Sequence, residues 1–218
     1  MLRALIFDFD GLLVDTESTA LRSWQELYDA WGQALPLDSW ATTIGTWDAR
    51  WDPATDLSER IGRALTDDEL AERFARETEL ALALPLLPGV RAHLDAARAQ
   101  GLALAIASSS SAAWVLGHLR RHDLAETFAC VITRDDVART KPDPELYSAA
   151  LACLHVGADE ALAYEDSVLG VAAAKAAGVR VVAVPGPLTR DGDFSAADVV
   201  LGSLADATPE AIWRAAGF

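Results

Sequence analysis

The sequence predicts an α/β protein, a mostly parallel sheet with helices on both faces and a helical insertion near its start. Three observations lead there. Short apolar runs alternate with helical segments from Val90 to Val184. One further apolar run, Leu2 to Phe9, stands ahead of that alternation. Between the two, Asp15 to Leu87 carries helix signals and no strand signals.

Leu2 to Phe9 ends in acids and Gly11, as a buried strand does when it delivers carboxylates to its C-terminal end. From Thr16 to Trp31, residues Leu21, Trp24, Leu27, Tyr28 and Trp31 recur at helical spacing and predict one apolar helix face, with Trp24 and Trp31 in the core. Trp40 to Pro53 has no period and reads as loop or short helix. Thr66 and Glu69 form a capping-box signature, continued on one face by Leu70 and Phe74.

A helix is then predicted over Val90–Gln100 with Gly101 as its stop, and a strand over Leu102–Ala107. Ser108 to Ser111 caps the next helix. Strands follow near Cys130–Thr133, Ala161–Tyr164 and Val181–Val184, with helices at Pro144–Leu154 and Val168–Ala177. The expected division is a core of residues 1–14 and 88–218 and an all-helical cap of residues 15–87, hinged near Val14-Asp15 and Leu87-Gly89.

The chain has 218 residues, 51% of them hydrophobic and 23% charged, which is enough to bury a sizeable core. A net charge of −15 opposes nucleic acid and anionic membranes, so an anionic ligand needs a local positive site. The apolar residues before Asp8 are too few for a signal peptide, and the longest apolar run, Leu80 to Leu87, is broken by Pro85. Cys130 and Cys153 sit in no CxxC pair and read as buried apolar residues. These features lead us to expect a cytoplasmic protein; they do not separate monomer from dimer.

In open parallel sheets the ligand crevice lies outside the carboxyl ends of the strands. Those ends supply Asp8 and Asp10, Ser108, and Glu165 with Asp166, while the loop before the Pro144 helix supplies Lys141. A carboxylate can attack phosphorus, and a second can serve the leaving oxygen and then water. Clustered carboxylates suit Mg2+, with Asp8 and Asp166 as ligands. Lys141 balances the negative charge, and the Ser108 hydroxyl with nearby helix amides holds phosphate oxygens. Ser109 is carried beside Ser108 as a phosphate contact, while Ser109 to Ser111 also read as cap and turn residues.

Four strings carry a resemblance: DFDGLLVDTE (Asp8–Glu17), IASSSS (Ile106–Ser111), KPDPELY (Lys141–Tyr147) and YEDSVLGVAAAKAAG (Tyr164–Gly178). Together they resemble the motifs of the haloacid dehalogenase superfamily, in the helical-cap branch that includes phosphoglycolate phosphatases and beta-phosphoglucomutases. The resemblance implies a Rossmann-like core with an inserted cap and Mg2+-dependent hydrolysis of a small phosphorylated metabolite. By position it implies Asp8 as nucleophile, Asp10 as general acid and base, and Ser108 and Lys141 as phosphate contacts. Asp8, the Asp10 backbone carbonyl and Asp166 would surround the metal, with Glu165 acting through water or from behind.

Departures sort the branches. Asp10 argues against dehalogenation. The mutase histidine and arginine positions align with Ala20 and Asp48, which favours water as the acceptor; a phosphosugar mutase or a silent binding protein of this fold are the alternatives. Trp47 and Trp51 lie in the aperiodic stretch and could face the crevice, Trp47 as a substrate contact. Arg50, Arg73 and Arg76 read as solvated, and His93, His118, His122 and His155 receive no role.

Overall fold

A computed structural model of the protein describes residues 1–47 and 49–218. Asp48, one of the two mutase-aligned positions, lies outside the described residues. Among these, six strands form one sheet: β1 (Ala4–Phe7), β2 (Ala103–Ala107), β3 (Cys130–Ile132), β4 (Ala161–Glu165), β5 (Arg180–Ala183) and β6 (Val199–Val200), in the order β3-β2-β1-β4-β5-β6. All neighbouring pairs are parallel. The expected α/β class is thus the observed one.

The chain moves outward from β1 through β2 to β3, then crosses to β4 on the other side of β1. That reversal makes the C-terminal end of β1 a topological switch point. Register aligns three strand ends there, with Phe7 level with Ile106 on one side and Tyr164 on the other. The residues that follow, Asp8, Ser108 and Glu165 to Asp166, therefore emerge together. Strand alternation splits the core: Leu5 and Phe7 join one apolar cluster while Ala4 and Ile6 join another across the sheet.

Between β1 and β2 run α1 (Thr16–Ala30), α2 (Leu37–Trp40), α3 (Pro53–Ile61) and α4 (Asp67–Leu82). They share a third apolar cluster of Trp24, Tyr28, Trp40, Ile44 and Leu57. Helix starts follow side-chain caps: Asp15 accepts from Ser18 N, Asp52 accepts from Thr55 N ahead of Pro53, and Thr66 and Glu69 complete the anticipated capping box. Where the chain leaves and rejoins the sheet, Leu87 N donates to Leu13 O at 2.8 Å. Trp31, expected in the core, is 39% exposed because it falls at the C-cap of α1; the Arg63 guanidinium covers it at 4.5 Å.

Helices α5 (Val90–Ala99), α6 (Ala112–Arg121), α7 (Glu145–Leu154), α8 (Val168–Ala176) and α9 (Pro209–Ala215) complete the chain. Cys130 on β3 and Cys153 on α7 form a disulfide with Cα atoms 6.3 Å apart. This corrects the reading of both as buried free residues: α7 packs back across β2 and β3, Cys153 is exposed, and the cysteines no longer argue for a reducing compartment. No described helix is long and apolar enough to cross a membrane.

Candidate active site

The strand ends bring Asp8, Glu165 and Asp166 together, with one oxygen of each carboxylate within 4.8 Å of the others. All three are buried, as is Lys141. The Lys141 ammonium pairs with Asp8 and lies 2.6 Å from Glu165 Oε1. Tyr147, in the first turn of α7, donates its hydroxyl to the same Glu165 oxygen, and Ser167 donates to the other at 3.3 Å. Gly11 lets Asp166 approach: at φ +76° it adopts a backbone region suited to glycine, and a Cβ there would stand 2.2 Å from Asp166 Oδ2.

Three buried carboxylates face one buried ammonium, so the centre is short of positive charge. Burial pushes the Asp8 carboxyl up to about 8 against the pull of Lys141, with Glu165 and Asp10 adding to the rise. Burial, then Asp8 and Glu165, push Asp166 well above the usual carboxylate range. Glu17, at the start of α1, is likewise raised to about 8 by burial and by Asp10 and Asp8. A hard divalent cation among these oxygen donors would relieve the deficit, and the donor set suits Mg2+.

Asp10 lies beside this centre and is held by four donors. Thr16 Oγ1 and Trp114 Nε1 donate to Oδ1 at 2.7 and 2.8 Å; Ser110 Oγ and Ser108 Oγ donate to Oδ2 at 2.6 and 3.3 Å. Ser108 thus sits where the strand pattern placed it and also accepts from Ser110 N. Ser109 points elsewhere, its hydroxyl donating to Gly45 O at 3.1 Å.

A cavity of about 400 Å3 opens above the carboxylates, lined by Asp8, Asp10, Ser109 and Ser110 from the strand ends. Its opposite wall is aromatic, with Trp24, Trp40, Trp47, Trp51 and Phe74 from the inserted helices and their loops. Both Trp47 and Trp51 face the crevice, and Arg134 stacks 3.6 Å from the Trp47 ring. Ala20 lines the cavity as well. Arg73 is not solvated as its helical position suggested: its side chain is 12% exposed, pairs with Glu77, donates to Ser23 at 3.0 Å and covers Trp24.

Sequence reasoning missed several neighbours. Thr16 and Tyr147 lay inside quoted motifs and could have been found there. Trp114, Ser110 as an Asp10 donor, and Arg134 could not, because their partners are about a hundred residues away.

Residues 5–184 match the family described as haloacid dehalogenase-like hydrolase, and the chain belongs to that family. Among its relatives is the "Putative phosphatase YhcW" of Bacillus subtilis, 44% identical over 210 residues and covering 94% of each chain. Hexitol phosphatase B of Escherichia coli is 34% identical, again over 94% of each chain. A crystal structure of CbbY from Rhodobacter sphaeroides in complex with xylulose-(1,5)bisphosphate superposes with a TM-score of 0.75 at 29% identity, covering 94% of this chain and 96% of that one.

Proposed function

We propose that this protein is a Mg2+-dependent phosphatase that hydrolyses a small phosphorylated carbohydrate through an aspartyl-phosphate on Asp8. The observation that carries the reading is the buried Asp8–Lys141–Glu165–Asp166 group lying beside a separately held Asp10 on the floor of a cavity with an aromatic wall. The names of its relatives, which include phosphatases of phosphorylated carbohydrates and of hexitols, agree with that substrate class.

An Asp8 carboxylate oxygen attacks phosphorus in line, the bond from phosphorus to the ester oxygen breaks, and Asp10 gives its proton to the departing alcohol. Asp10 then takes a proton from water as that water attacks the phosphoryl group on Asp8. Inorganic phosphate leaves and the free carboxylate returns. Lys141, held by Asp8 and Glu165, offsets charge on the transferring oxygens, with Ser108 as a further phosphate contact and Trp47 against the substrate body. Asp8, Asp166 and the Asp10 backbone carbonyl would hold Mg2+, with Glu165 behind them. When bound, the metal supplies positive charge to the phosphoryl oxygens and helps orient them.

Residues 15–87 act in this reading as a cap that closes over the substrate and excludes water from the first transfer. The test is inorganic phosphate release from a panel of sugar and polyol phosphates, with and without Mg2+, using Asp8→Asn as the blank. Release that needs the metal and vanishes in the variant is expected. An isomerised sugar phosphate without free phosphate, or release that survives Asp8→Asn, would overturn the proposal.

A further inference from the structure

Trp114 stands out because it serves none of the assigned roles yet makes a direct polar contact with Asp10. Its indole Nε1 donates to Asp10 Oδ1 at 2.8 Å across 104 positions of sequence. The ring is fixed from two sides. Phe74 of α4 packs on one side with centroids 6.0 Å apart, and His118, one turn along α6, meets it edge-on at 4.6 Å. His118 is buried and neither ring nitrogen has a hydrogen-bond partner among the described residues, so it acts here as an apolar ring.

The donor types around Asp10 are unequal. Hydroxyls of Thr16, Ser108 and Ser110 rotate and can either donate or accept, whereas an indole N–H only donates and points where its ring points. Oδ1 is therefore committed to accepting from Trp114. Oδ2 faces two hydroxyls, Ser108 and Ser110, that can turn to accept a proton.

We propose that Trp114 is a positioning residue for Asp10, fixing Oδ1 as a permanent acceptor so that Oδ2 is the oxygen that hands a proton to the leaving group. The contact between Phe74 and Trp114 extends this control to the inserted helices, because α4 supports the ring that orients the acid. The inference rests on the reading of Asp10 as the group that serves the leaving alcohol.

The test compares two substrates: a sugar phosphate, whose alkoxide leaving group needs a proton, and p-nitrophenyl phosphate, whose leaving group does not. Asp10→Asn and Trp114→Phe are assayed on both. Trp114→Phe is expected to lower kcat for the sugar ester about tenfold more than kcat for the aryl ester, with KM changed far less; Asp10→Asn should show the same contrast, larger. Equal losses on both esters in Trp114→Phe, beside a strong contrast in Asp10→Asn, would overturn the role of Trp114 alone. No contrast in Asp10→Asn would remove the acid role of Asp10, and the positioning proposal with it. Should Trp114→Phe not fold, benzothienylalanine at position 114 keeps the ring shape without the N–H and gives the same readout.

Discussion

The Lys141 ammonium lies 2.6 Å from Glu165 and also pairs with Asp8, so one buried cation spans two strand ends. Burial alone would drive its proton off, but Asp8 and then Glu165 more than offset this and hold it charged. Replacing Lys141 by Met leaves two buried carboxylates without a counter-ion. We expect a loss of about 3–5 kcal/mol in unfolding free energy at neutral pH in EDTA, measured by urea titration. The loss should shrink as pH falls toward about 4, where the unfolded chain's carboxyls take up protons as the buried ones already have.

Gly170 on α8 leaves room for the Glu165 carboxylate; a Cβ there would stand 1.9 Å from Glu165 Oε2. Gly170→Ala therefore pushes Glu165 away from Tyr147 and Lys141. Overpacking of this kind costs about 1–3 kcal/mol, and phosphatase turnover should fall with it. A variant as stable and active as the parent would show that the carboxylate position is adaptable.

The Cys130–Cys153 disulfide closes a loop over a sequence separation of 23. For a loop of this size the chain-entropy account gives about 3 kcal/mol. Dithiothreitol should lower Tm, Cys153→Ser should lower it equally, and the variant should then be insensitive to reductant. Two reactive thiols in the unreduced, unfolded protein would contradict the bond.

Asp198 accepts from Val181 N at 2.7 Å and pairs with Lys175 at 2.9 Å. Burial works to raise its carboxyl, but Lys175 and the Val181 amide outweigh it and hold the group below its ordinary 3.8. A carboxyl lowered on folding stabilises above its unfolded value, and that contribution is lost as pH falls through the folded one. Urea midpoints for the parent and Asp198→Asn should therefore differ at pH 7 and converge below about pH 4.

The central strands were legible because sheets buried on both faces leave continuous apolar runs, as in Ala103–Ala107 and Ala161–Glu165. Strand β6 was not, since two residues at an edge carry no period. Helices α3 and α9 went unread although Asp52-Pro53 and Thr208-Pro209 both place a cap before a proline at the first helical turn. At the site, acids at strand ends announce themselves, and Asp8, Glu165, Asp166 and Lys141 do converge. The direction of Ser109 toward Gly45, the disulfide and the Trp114 contact depend on how distant elements pack, which local spacing does not encode.

The amide contact from Leu87 to Leu13 has a different kind of consequence. Because departure and return are neighbours in space, whatever the chain builds between them imposes no stretch on the sheet. Lengthening, trimming or exchanging that excursion leaves the spacing of β1 and β2 untouched. The alignment of Asp8 with Asp166 is then a matter for β1 and β4 alone.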